Sequence, residues 1–263
     1  MSVVGNDPIL VARDGLVATV TLNRPAKLNA LTKAMWRGLG DAIAALSRDD
    51  RLRCIIVRGA GERAFSPGND IAEFERERSN KAQAREYGAV MHATARALVA
   101  CPVPLVAQIH GICVGGGLEI AALCDLRICG ESSRFGAPIK NLGLVMAYAE
   151  MAPLVRLVGP DVALEILLEG RIFDAAEAWA KGLVTRVVPD ANVASEGAAT
   201  AARIAEGAPL VARWHKKFVR RLRDPAPISE AEADECFDCF DTADFRAGYA
   251  AFLAKQKPRF EGR

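Results

Sequence analysis

The 263 residues carry 34 Lys+Arg against 32 Asp+Glu, and they are 51% apolar and 25% charged, which excludes a disordered chain and a globally basic nucleic-acid binder. The length suits one α/β domain with a tail. The seven cysteines stand mostly in apolar stretches, no leader-like run opens the chain, and no apolar stretch approaches about 18 residues, so a cytoplasmic protein with no membrane partner is expected.

In chain order, residues 16–22 read as a strand closed by Asn23-Arg24-Pro25, and Thr32 is placed to cap a helix through Met35, Leu39, Ile43 and Leu46. A buried strand over 54–57, a helix over 82–100, a strand over 105–109, a helix after Gly117 and a strand over 126–129 follow. This alternation predicts stacked βαβ units and a mainly parallel sheet. From Ala147 the pattern turns helical, over 150–158, 162–168, 175–180, 194–205, 210–222 and from 230 onward, so the sheet is expected in the first half. Arg223-Asp224-Pro225-Ala226-Pro227 is expected to break the chain before a terminal arm, and we divide it into a core over 1–200 and a helical region over 201–263.

Two glycine-bearing stretches stand out, Ala64-Phe65-Ser66-Pro67-Gly68-Asn69-Asp70-Ile71 and Gly111-Ile112-Cys113-Val114-Gly115-Gly116-Gly117-Leu118-Glu119. Glycine admits backbone conformations that aim amides inward, and strong helix formers after Gly117 place a helix N-terminus there. Together the two stretches are suited to supply two N–H groups to one carbonyl oxygen, the arrangement that stabilises an enolate. Glu119 stands among Leu118, Ile120, Ala121 and Ala122, where an idle carboxylate is costly, so it is read as catalytic. Other features have plainer readings. Asp70 serves equally as a helix cap, Asp125 and Arg127 as a structural pair, and Cys236-Phe237-Asp238-Cys239 lacks the second Cys or His pair of a metal site. The basic run from Arg213 to Arg223 interleaves with Phe218, Val219 and Leu222 as a solvated helix face without a stacking platform, so no nucleic-acid partner is expected.

These stretches, with Asn23-Arg24-Pro25, Leu28-Asn29-Ala30-Leu31, Cys124-Asp125-Leu126-Arg127, Phe135-Gly136-Ala137-Pro138 and the terminal Phe245 to Lys255, resemble the crotonase superfamily, the enoyl-CoA hydratase/isomerase family, over nearly the whole chain. The resemblance implies a crotonase-like spiral of ββα units with a C-terminal helical trimerisation region, assembled as a homo-trimer or hexamer. It implies an acyl-CoA substrate, no cofactor beyond the coenzyme A that is part of that substrate, and no metal. By motif position the oxyanion amides are those of Asn69 and Gly116, the adenine end lies near Pro67, Asn69, Asp70 and Ile71, and Phe252 and Lys255 reach the nucleotide from a neighbouring subunit.

A hydratase of this family holds water between two glutamates, and the second belongs directly after Pro138, where this chain has Ile139. Ala147 occupies a further position from which relatives draw an aspartate, which leaves Glu150 as the nearest replacement by sequence and Tyr148 as a second candidate. Three functions therefore stay open: hydration of a 2-enoyl-CoA with Glu119 as base or acid, isomerisation or racemisation through the same enolate, and binding of acyl-CoA without turnover.

Overall fold

The structure, a computed structural model, describes residues 7–263; residues 1–6, part of the stretch read for a leader, lie outside it. Ten strands divide between two sheets. The larger contains β1 (Ile9–Asp14), β2 (Val17–Leu22), β3 (Cys54–Gly59), β5 (Leu105–Ile109), β7 (Leu126–Gly130) and β10 (Arg186–Val188), in the order β1-β2-β3-β5-β7-β10. Only β1 and β2 run antiparallel; the rest are parallel. β3 and β5 are buried along almost their whole length, as the unbroken runs Cys54-Ile55-Ile56-Val57 and Leu105-Val106-Ala107 require of strands covered on both faces.

The smaller sheet, β4 (Ala64–Ser66), β6 (Ile112–Val114), β8 (Arg134–Gly136) and β9 (Phe173–Asp174), is the part that positions the site. Each of β3, β5 and β7 is followed by a short strand of this second sheet, which gives the expected spiral of ββα units. β4, β6 and β8 are mutually parallel, so their carboxyl ends lie side by side and deliver three loops to one place.

The helix capped by Thr32 spans Lys33–Leu46 and buries Met35, Trp36, Leu39 and Ile43 against the helix Lys81–Ala100, whose own cap is Asn80. The helices expected over 150–158 and 162–168 are two halves of Tyr148–Glu169, broken at Gly159, whose φ of 80° is closed to most side chains and which Pro160 follows. Two expectations change. The sheets do not end in the first half, because β9 and β10 come from the second; at two and three residues they are too short to show a period. Residue 200 lies inside the helix Val193–Glu206, whose Val193, Gly197, Thr200 and Ala201 are buried against the larger sheet, so this helix packs with the core.

Candidate active site

Asn29, in the left-handed region at φ 63° and fully buried, holds the first loop in place. Its Nδ2 donates to Ala64 O at 2.8 Å and Ala60 O at 3.1 Å, its Oδ1 accepts from Arg24 N, and its carbonyl accepts from Ser66 Oγ. The Asn23 to Asn29 motif therefore braces β4 rather than touching substrate. Beyond Ser66, Gly68 O accepts from Leu31 N and Leu31 O accepts from Asp70 N, both at 2.8 Å, which turns the intervening Asn69 N–H the other way, into the cavity. The Asn69 side chain is tied off separately: its Oδ1 accepts from Trp36 Nε1 at 2.6 Å.

The second loop leaves β6 through Gly115, whose N–H donates to Gly136 O at 2.9 Å, and enters the helix Gly116–Leu123, whose first N–H at Gly116 has no intrahelical acceptor. The loops meet at Gly68. A methyl group there would stand 2.9 Å from Gly116 N and 3.1 Å from Val114 O, and its φ of 100° also favours glycine. The amides of Asn69 and Gly116 thus share the wall of one cavity of about 410 Å³.

Glu119 and Glu150 line that same cavity. Glu119 projects from the first turn of its helix, partly open to the cavity yet surrounded by protein, and burial pushes its carboxyl up to about 8. The Glu150 charge adds to that rise and Arg78 works against it. Glu150 belongs to the third turn of chain, after β8, where it caps the helix Tyr148–Glu169: Oε2 accepts from Ala147 N at 3.1 Å, and Oε1 lies 3.2 Å from His92 Nε2. The helix cap and the place in the cavity are held by one side chain.

Ile139 also lines the cavity, with Leu142, Leu144 and Met146, while Trp36 lies behind it, buried beneath Gly116. Tyr148 is 93% exposed and absent from the walls, so it is set aside as the replacement acid. Lys140 packs its stem under Gly170 instead. Pro67, Asn69, Asp70 and Ile71 form one edge of the cavity. Asp70 caps the turn Ile71–Glu73 and pairs with Arg24; partial burial raises its pKa, but those two contacts outweigh it and hold it low. Phe252 and Lys255 are exposed and stand apart from this chain's own cavity. Asp125 pairs with Lys216, not Arg127, whose guanidinium donates to backbone carbonyls of Leu183, Ala121, Cys124 and Asp125. Every cysteine is free, and no cluster of metal-ligating side chains occurs among the described residues. His92 and Arg78 carried no spacing signal in the sequence; only the approach of the helix Lys81–Ala100 brings His92 to Glu150, and only that of the segment after Phe74–Glu77 brings Arg78 to the cavity wall.

The sequence pattern of the enoyl-CoA hydratase/isomerase family matches residues 12–263. The chain belongs to this family. It is 35% identical over 260 residues to a probable enoyl-CoA hydratase of Mycobacterium tuberculosis, covering 98% of this chain and 99% of that one. To the crotonyl-CoA hydratase of Syntrophomonas wolfei it is 33% identical over 254 residues, 96% and 97% of the two chains. The crystal structure of an enoyl-CoA hydratase/carnithine racemase from Magnetospirillum magneticum superposes with a TM-score of 0.97 at 53% identity, over 98% of this chain and 97% of that one. The fold is therefore the crotonase fold.

Proposed function

We propose that this family member is an enoyl-CoA hydratase in which Glu119 and Glu150 form the acid–base pair. The observation that carries the reading is that both carboxyls face one cavity whose wall also presents the Asn69 and Gly116 amides. The thioester carbonyl accepts both N–H groups, which aim where charge grows as the enolate forms. Glu150, as carboxylate, takes a proton from water as its oxygen adds to the β-carbon. Glu119, protonated at neutral pH, gives its proton to the α-carbon. One water is consumed, and the proton gained by Glu150 then restores Glu119. Ile139, in the place of the family's second glutamate, is a wall of the acyl pocket.

The coenzyme A nucleotide would lie along Pro67 to Ile71, with Phe252 and Lys255 supplied by a neighbouring subunit of a trimer or hexamer. Supporting that assembly, Phe237, Phe240, Tyr249, Phe252 and Leu253 leave a large apolar surface exposed on the C-terminal helices. The proposed chemistry calls on the chain, its thioester substrate and water. No helix among the described residues is long and apolar enough to cross a membrane.

The test is the absorbance of crotonyl-CoA mixed with wild type, Glu119→Gln, Glu150→Gln and Ile139→Glu. Loss of the conjugated absorbance with wild type, abolished in both Gln variants, supports hydration. Gain of absorbance from a 3-enoyl-CoA instead would mean isomerisation, and binding without either change would mean a non-catalytic acyl-CoA protein.

A further inference from the structure

One side chain in the cavity wall has no part in that chemistry. Arg78 follows the short helix Phe74–Glu77, and its guanidinium carbon stands 4.7 Å from the centre of the Phe74 ring and 4.9 Å from that of Tyr87. It is the single arginine or lysine of this wall, and among the described residues its guanidinium makes no ion pair or hydrogen bond. Compare Arg24, paired with Asp70, or Arg127, which donates to four carbonyls. A half-buried guanidinium without an acceptor is costly, and two aromatic faces fix its plane while leaving its N–H edge free. The neighbouring acids do not supply the missing partner. Glu150 is held by His92 and Ala147, and Glu119 is protonated at neutral pH.

The position of Arg78 says which part of a ligand it meets. Tyr87, on which it stacks, is fully buried, and Arg78 shares the cavity wall with Glu119, the proposed acid, on whose carboxyl its charge acts. Arg78 thus belongs to the acyl side of the cavity. The rest of that side, including Met91, Leu144 and Met146, is apolar, so a cation there has no use for a plain hydrocarbon chain.

We propose that Arg78 selects an acyl group ending in a carboxylate, so that the substrate is the coenzyme A thioester of a short unsaturated dicarboxylic acid. The distal carboxylate accepts two parallel N–H bonds from the guanidinium, and its charge balances the one cation of the cavity. This rests on the acyl-CoA reading of the site.

The experiment titrates the full-length wild-type protein, Arg78→Met and Arg78→Lys with three non-reacting ligands: glutaryl-CoA, butyryl-CoA and coenzyme A alone. Wild type should prefer glutaryl-CoA to butyryl-CoA by on the order of 100-fold, the usual consequence of one desolvated charge pair. Arg78→Met should bring that ratio near one, and Arg78→Lys, which keeps the charge but not the fork, should leave it between. No preference in wild type overturns the proposal without any variant. Equal weakening of all three ligands by Arg78→Met also overturns it, making Arg78 a contact to the coenzyme A moiety. Failure of every ligand to bind wild type refutes the acyl-CoA reading itself.

Discussion

Replacing Glu119 by Gln should stabilise the protein, increasingly so as pH rises. The carboxyl ordinarily titrates near 4.5 and is pushed up to about 8 here, first by burial and then by the Glu150 charge. A raised acid binds more protons in the folded state than in the unfolded chain throughout the interval between those values. Folding therefore loses stability as pH climbs from about 4.5 to about 8, and nothing further is lost above it. At about 1.36 kcal/mol per tenfold change, the full gap corresponds to roughly 5 kcal/mol. A neutral amide of the same shape escapes that penalty. Melting curves of wild type and Glu119→Gln at pH 4.5, 7 and 9 should nearly coincide at the lowest pH and differ by on the order of 10 °C at the highest. Glu150→Gln should bring the upper end of that divergence to lower pH. The sign is fixed by removing a negative neighbour, which makes ionisation of Glu119 easier: its pKa falls, and the pH window over which stability is lost narrows from the top. Wild-type and Glu119→Gln curves separated by a constant offset from pH 4.5 to 9 would refute the assignment of a raised carboxyl to this position.

Glu150→Gln should lower kcat by about 100- to 10,000-fold, as loss of a general base does, while stopped-flow binding of butyryl-CoA reports an occupied site. His92→Ala should lower kcat more than His92→Gln, since glutamine retains an N–H for Glu150 Oε1; equal losses in steady-state assays would show that the hydrogen bond is idle. Gly68→Ala should reduce crotonyl-CoA turnover by at least about 100-fold, because its methyl group meets Gly116 N at 2.9 Å and disturbs both amides. Asn69→Ala should keep turnover within about tenfold, since the backbone amide survives, yet lose about 1–3 kcal/mol in denaturant unfolding because Trp36 Nε1 is left without its acceptor.

The sequence shows the fold well wherever a period is long enough to read. Lys33–Leu46, Lys81–Ala100 and Leu105–Ile109 stand where capping and apolar spacing put them. β4, β6 and β8 do not announce themselves, because three residues cannot display an alternation and their pairing is set by the loops around them. The two glycine loops that meet at the cavity were legible from their glycines, whose conformational demands are local. Arg78 and His92 were not, because their meaning depends on contacts across the fold: one on the rings of Phe74 and Tyr87, the other on Glu150, fifty-eight residues away.

The replacement of a glutamate by Ile139 shows why an active site is better read as a set of positions in space than as a set of positions in a motif. Ile139 and Glu150 flank the same loop after β8, and both reach the cavity. Moving the carboxylate along the chain changes what surrounds it. At Glu150 one oxygen is committed to the helix N-terminus through Ala147 N and the other faces His92. Among the described residues no donor reaches the Glu119 carboxyl in this way, and burial pushes it up to about 8. The proposed division of roles, with Glu150 accepting from water and Glu119 donating to carbon, rests on where each acid is anchored. Grafting a glutamate at position 139 places a third acid beside them, and it should raise the Glu119 carboxyl further unless it takes the proton itself, an outcome that the pH profile of Ile139→Glu turnover reads directly.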